Sequence, residues 1–248
     1  MTSLDRMLSI LDLFREDRFQ IQSEDVVALA QCSRATAYRY LRSLCACGLL
    51  APAPGGAYVL GSRVIEMDRL LRRSDPLLTC SRDVMTQCSQ RTGLNMMLCS
   101  HYRNQVMCVD TEWIDTSVEL LYERGKPMPM FRGAMAKVIL ANLSPYQLKN
   151  LMLEHAQDIR SSGLGQNWKE FKSKLNVIRR EGVCVSNSEV MPNLMGIAAP
   201  VFDHEGRVIG SVVFVVRPEH AQALGIESLC AQIKTTAQAI TARITQLS

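Results

Sequence analysis

An arginine side chain presents five N–H donors in a planar fork that matches a phosphate or the O6/N7 edge of guanine. One stretch of this chain concentrates that chemistry. Between Asp25 and Glu66 there is no acidic residue, while Arg34, Arg39, Arg42 and Arg63 all fall there. The first lysine is Lys126, so the basic charge before it is all arginine. The formal net charge of +4 is modest, and its placement says more than its size. A basic run of this kind suits a polyanionic partner; taken alone, it also suits a solvated surface face.

The elements that must hold these arginines follow from capping residues and apolar spacing. Ser3 is the expected cap of a first helix, with Leu4, Met7, Leu8, Leu11 and Phe14 at three- and four-residue spacing. Ser23 opens a second helix, with Glu24 and Asp25 in the first turn, where the helix dipole favours negative charge. After the break Gln31-Cys32-Ser33, Ser33 caps a third helix that runs to Cys47 and stops at Gly48. Apolar runs at 49–51 and 57–60 flank Pro52-Ala53-Pro54-Gly55-Gly56, which predicts a β-hairpin.

Helix, short turn, helix and hairpin are the order of a winged helix-turn-helix. On the third helix Ala37, Leu41 and Leu44 form one apolar stripe. Arg34, Thr36, Tyr38, Arg39 and Arg42 fall largely off it, placed to face a DNA major groove. Ser33 and the first-turn amides make a helix N-terminus that can hold a phosphate. Gly55 and Gly56, at the hairpin tip, suit a wing lying along the backbone or minor groove. A winged module for protein contacts, or an amphipathic surface helix, is the alternative reading.

The expected division is a winged helix-turn-helix domain at 1–61, a connecting helix at 62–75 and a second domain at 76–248. In the second domain the pattern predicts helices at 76–92, 133–142, 144–155, 167–181 and 219–246. Strands are predicted at 94–100, 105–112, 117–122, 182–187, 196–202 and 207–216, the first two joined through Tyr102-Arg103-Asn104. This mixture implies an α+β domain with a largely antiparallel sheet.

The run Ser33-Arg-Ala-Thr-Ala-Tyr-Arg-Tyr-Leu-Arg-Ser-Leu-Cys-Ala-Cys-Gly-Leu-Leu, with Gly56-Ala-Tyr-Val-Leu-Gly61 after it, resembles the IclR family of bacterial regulators. That family's recognition helix reads K-S-T-x-Y-R-L-L-x-x-L, and a Y-x-L-G closes its wing. Ala35 stands where serine is usual, which removes one phosphate contact. Residues 125–141 are similar to the family's G-x-x-x-P-x-x-x-x-A-x-G-K-A-x-L-A segment, with Ala136 for glycine and Lys137 kept. Gly196-Ile-Ala-Ala-Pro-Val-Phe-Asp-His-Glu-Gly206 resembles C-I-A-A-P-V-F-D-x-x-G.

The resemblance implies a dimer or tetramer built through the N-terminal domains and a GAF-like domain that binds a small effector. It also implies operator DNA and RNA polymerase as partners, and repression or activation of a catabolic operon. Carried across motif by motif, the effector site falls on Leu120, Met128, Ala134, Met135, Ser186, Leu194, Gly196, Val213 and Val215. The family's acid-rich D-x-E-E run is here Ser186-Asn-Ser-Glu-Val-Met-Pro-Asn193, keeping only Glu189. Val213 and Val215 stand where members that bind very small oxo-acids carry serines. These changes predict a wider, greasier pocket suited to a larger acid, aromatic ones included. Small hydrated acids would lose hydrogen bonds there, at about 1–3 kcal/mol per unpaired group. Ser186 and the amides near Gly133, Ala134 and Met135 can hold a carboxylate, with Arg132 as a charge partner. Plain core packing is the other reading of Met128, Met135, Val213 and Val215.

Other classes find less support. The nine cysteines form no C-x-x-C pair and mostly sit in apolar runs, which suits reduced thiols in a cytoplasmic setting. The four histidines are scattered, so neither a metal site nor a cofactor is expected. Asp5 and Asp12 argue against a signal peptide, and no apolar run approaches the roughly 20 residues that span a bilayer. Cys184, Cys99, His101 and Glu189 are the residues an enzyme reading would use. No nucleophile elbow, phosphate loop or dinucleotide fingerprint accompanies them. An enzyme with an accessory winged domain is therefore the second hypothesis.

Overall fold

Thr2, rather than Ser3, caps the first helix. In this computed structural model, which describes residues 2–102 and 105–247, α1 spans Ser3–Leu8. The Thr2 hydroxyl accepts from the Asp5 amide, and the Asp5 carboxylate accepts from the Thr2 amide. Ser3 shares a 2.7 Å hydrogen bond with the Tyr40 hydroxyl instead. The chain then tightens into a 3-10 turn at Ser9–Leu13. Helix α2 (Ser23–Ala30) starts from a capping box between Gln22 and Asp25. It ends at Gln31 in the left-handed region, φ 46°. Two residues later Ser33 caps α3 (Arg34–Ala46).

Strands β1 (Leu50–Pro52) and β2 (Tyr58–Leu60) pair antiparallel, and Ile21 bridges to Tyr58. Gly61 closes this hairpin for a steric reason. A Cβ there would lie 2.1 Å from the Gly48 carbonyl oxygen, a distance no side chain tolerates. Ile10, Ile21, Val26, Ala30, Ala37, Tyr40, Leu41, Leu44 and Leu50 form one core under α2, α3 and the hairpin. Helix α4 (Arg63–Ser74) buries no residue. The chain divides into two compact units, Met1–Ser74 and Asp75–Ser248.

The second unit is built on a six-stranded sheet: β3 (Asn95–Tyr102), β4 (Gln105–Glu112), β5 (Pro127–Met128), β6 (Cys184–Asn187), β7 (Met195–Phe202) and β8 (Val208–Val216). The order is β5-β4-β3-β8-β7-β6, and every neighbouring pair is antiparallel. Arg103 and Asn104, of the turn expected between β3 and β4, lie outside the described residues.

Both faces of the sheet are covered, which is why its strands read as unbroken apolar runs. Helices α5 (Pro76–Thr92) and α11 (Ile226–Gln246) pack with Met96, Leu98, Val212 and Phe214 on one face. Helices α6 (Ala134–Asn142) and α9 (Trp168–Glu181) pack with Met97, Cys99, Val213 and Val215 on the other. Helix α7 (Pro145–Glu154) begins at a Ser144/Gln147 capping box and contributes Leu148 and Leu151 to the α6 side.

Two expectations are corrected. The strand predicted at 117–122 is a turn followed by irregular chain: Asp115 accepts from the amide and hydroxyl of Ser117, and Trp113 Nε1 donates to the Val118 carbonyl. The short β5 takes the edge position instead. The helix predicted at 219–246 breaks at Gly225, φ 84°, into α10 (Pro218–Leu224) and α11. A further helix, α8 (Ala156–Ser161), lies in a stretch for which no element was predicted. No helix among the described residues is long and apolar enough to cross a membrane.

Candidate nucleic-acid interface and sensing site

On α3, Ala37, Tyr40, Leu41 and Leu44 are buried. In helical projection Ala35, Arg39 and Arg42 lie opposite that stripe, with Tyr38 beside them and Arg34 and Thr36 nearer its edges. Arg34, Ala35, Tyr38, Arg39 and Arg42 are all exposed. Among the described residues Arg34, Arg39 and Arg42 make no ion pair. The Arg39 guanidinium carbon lies 6.0 Å from the centre of the Tyr40 ring. Ser33 serves the helix itself: its hydroxyl accepts from the Thr36 amide at 3.2 Å and donates to the Thr36 hydroxyl at 3.1 Å. The first-turn amides of Arg34 and Ala35 are left for an outside acceptor. Gly55 and Gly56 form the exposed hairpin tip at φ 74° and 75°, a conformation glycine adopts without steric cost.

In the second unit the expected effector residues fall into separate groups. Met135, Ser186, Leu194, Gly196 and Val215 line one cavity, together with Glu189, Val190, Met191 and Met195. Ala134 and Val213 border it, each 3.6 Å from where a Cβ on Gly196 would stand. Met128 is elsewhere, on the opposite edge strand from Ser186, with the Cys99 thiol 3.6 Å from its sulfur. Leu120 is half-buried in the turn before β5, and Arg132 is exposed; neither lines the cavity. The charge beside the site belongs to Lys137 instead.

The cavity is also far smaller than the sequence led one to expect. Its space is about 20 Å³, which holds about one water. The loop joining β6 to β7 folds over it, and this loop supplies Glu189, Val190, Met191 and Leu194. Ser186 Oγ accepts from the Ala134 amide at 2.9 Å, and Glu189 Oε2 accepts from the Gly133 amide at 2.9 Å. Glu189 Oε1 receives Lys137 Nζ at 2.6 Å, with these side chains 30% and 13% exposed respectively. Hydrogen bonds of this charged type are worth about 1.5–3 kcal/mol each. The packing is close: a Cβ on Gly133 would meet Val190 Cγ2 at 2.6 Å, and one on Gly196 would meet Ser186 Oγ at 3.2 Å. Glu189, Val190, Met191 and Met195 were missing from the expected set. The retained acid at 189 and the retained Lys137 were the available signal.

Among the described residues the groups an enzyme reading needs share no nucleophile–base hydrogen bond. Burial pushes the Cys184 thiol up to about 11, partly offset by Lys137, and the Cys108 thiol up to about 12. Burial also raises Cys99 well above the ordinary thiol range and lowers His101. Among the described residues His101 Nε2 is buried with no hydrogen-bond partner, and Glu189 is engaged with Gly133 and Lys137. Among the described residues no cluster of histidine, cysteine and carboxylate groups could hold a metal ion.

A winged helix-turn-helix whose exposed α3 arginines make no ion pair among the described residues, carried on one chain with an α/β/α unit that holds a small, mainly apolar cavity, defines a class of transcriptional regulators. Residues 3–54 match the IclR helix-turn-helix domain, and residues 71–242 match the family described as bacterial transcriptional regulator IclR C-terminal. The chain belongs to the IclR family and is a transcriptional regulator. It is similar to the HTH-type transcriptional regulator XynR of Escherichia coli, at 26% identity over 213 residues, covering 85% of this chain and 84% of that one. Its fold is shared with an IclR transcriptional regulator from Alicyclobacillus acidocaldarius, at a TM-score of 0.78, 19% identity and 98% coverage of both chains. It is shared too with an IclR homologue from Microbacterium hydrocarbonoxydans complexed with 4-hydroxybenzoate, at a TM-score of 0.77, 21% identity and 100% coverage of both chains. These relatives are regulators rather than enzymes.

Proposed function

We propose that this chain is an effector-controlled regulator of a catabolic operon, reading duplex DNA through α3 and a small organic acid through the cavity beside α6. The observation that carries the first half is the exposed face of α3, where Arg34, Arg39 and Arg42 have no acidic partner among the described residues. Ser33, Ala35, Thr36 and Tyr38 complete that face, and Gly55 and Gly56 present the wing. Residues 1–61 act as the reading domain, 62–75 as the connection and 76–248 as the sensing domain.

The second half is supported by the donors gathered at the start of α6. The Gly133 and Ala134 amides and Lys137 already bind an oxygen acid, that of Glu189, together with the Ser186 hydroxyl. The apolar lining of Met135, Leu194 and Val215 suits an aromatic or branched body on that acid. The 4-hydroxybenzoate complex of the Microbacterium homologue is consistent with this class. Assembly with a second copy is supported by α4, whose Ile65, Met67, Leu70 and Leu71 are each about half exposed or more. A dimer would present two α3 helices to half-sites about one helical turn apart, or a multiple of that.

The test is a fluorescence-anisotropy titration of a duplex selected from random DNA, with and without benzoate and related acids. An effector should shift operator affinity by about 5- to 150-fold, the range of an ordinary allosteric coupling. Sequence-independent binding unaffected by any acid would contradict the proposal.

A further inference from the structure

The sensing site is closed by the chain's own carboxylate. Glu189 lies in the loop between β6 and β7, and its two oxygens take the Gly133 amide and the Lys137 ammonium. The loop is held at its base, where the Ser188 amide donates to the Leu194 carbonyl at 2.8 Å. Ser188 and Asn193 both sit in the left-handed region, at φ 53° and 57°. Val190 is pressed against Gly133, and the space left beneath is about 20 Å³. Space of that size holds about one water, so a larger ligand needs the lining to move.

We infer that Glu189 is an internal competitor: it latches the β6–β7 loop onto the start of α6, and an effector carboxylate binds by displacing it. The physical reason is crowding at one helix start, where a second carboxylate would meet the charge of the first. The Gly133 amide has a single hydrogen, and two anions at the same point repel. Binding therefore requires the open-loop state, and apparent affinity falls by the fraction of molecules in that state. Once the latch opens, Lys137 and the Gly133 amide are released for the incoming acid. The latch would set the effector threshold and keep small amounts of acid from switching the regulator. Its ligand arm rests on the carboxylate reading proposed above; its loop arm does not.

The experiment uses the full chain with Glu189→Ala, Glu189→Gln and Lys137→Met, read by hydrogen exchange and by titration with benzoate and 4-hydroxybenzoate. In Glu189→Ala the 187–194 segment and the amides of Gly133 and Ala134 should exchange at least about tenfold faster, with α11 unchanged. Glu189→Gln keeps an acceptor but loses the charge, so it should fall between wild type and alanine. It also serves if the alanine variant does not fold. Glu189→Ala should bind the acids about tenfold more tightly, as expected when a closed state dominates by that ratio. Lys137→Met should bind them more weakly than wild type. Unchanged exchange at 187–194, or weaker acid binding in Glu189→Ala, would overturn the latch. If neither acid binds any variant, the exchange data decide the latch alone, and it is the acid-sensing proposal that fails.

Discussion

Two helix starts in this chain carry similar chemistry and treat it in opposite ways. At α3 the cap is a neutral serine, the arginines point outward, and no carboxylate among the described residues answers them. At α6 the amides and the lysine are answered by Ser186 and Glu189 from 52 to 56 residues away. The difference teaches how each site can be used. Charge left unsatisfied on an exposed face costs little in water and is ready for a large polyanion, whose bound counterions are released on association. Charge enclosed beside an apolar sheet must be satisfied at all times, so a ligand there has to compete with the fold itself.

The contrast can be broken by substitution, starting where the effect is largest. Val213 is fully buried against the α6 side of the sheet, so Val213→Asp places an unpaired carboxylate in the core. The cost should exceed about 4 kcal/mol, lowering Tm by roughly 8–16 °C in thermal denaturation. An unchanged Tm would mean that the region is open to water and that the two sites do not differ as described. Arg39→Ala should do the reverse. Operator affinity should fall by about 1–3 kcal/mol, roughly 5- to 150-fold, while Tm stays within about 2 °C. A large loss of stability would show that Arg39 serves the fold.

The smallest effect is chemical. Cys47, on the first unit, is exposed, whereas burial holds the Cys184 and Cys108 thiols up at about 11 and 12. These two thiols stay protonated at pH 8 and become thiolates only as pH rises toward those values. Alkylation at pH 8, mapped by mass spectrometry, should reach Cys47 first and leave both buried thiols largely unmodified. Early labelling of Cys184 would show that the sensing site opens more readily than its closed packing indicates.

Helix α3 was legible because its signals are local. Ser33 before the apolar stripe of Ala37, Leu41 and Leu44, and a Gly48 that ends the helix at φ 75°, specify α3 within sixteen residues of sequence. The 117–122 segment misled because its apolar residues look like a strand. In the fold they are a turn tied by Asp115 and Trp113, while β5 pairs only two residues and leaves almost no pattern. Gly225 was a visible interruption in the final helical stretch, and it is where that stretch breaks. The cavity beside α6 was less legible for a different reason. Its polar contacts join residues more than 50 positions apart, and no periodicity records such pairs. Family resemblance supplied Ser186, Gly196 and Val215, but it did not show that Glu189 occupies the donors.

The salt dependence of operator binding tests the central claim most directly. Affinity would be measured by anisotropy across a range of salt concentrations, for wild type and for a variant with Arg34, Arg39 and Arg42 all changed to alanine. Each phosphate that the variant no longer neutralises should lower the slope of log affinity against log salt by about 0.9. If α3 lies on DNA, the variant should bind weakly with a visibly shallower slope. If wild type and variant share the same slope and affinity, DNA is bound somewhere else, and the account of α3 is wrong.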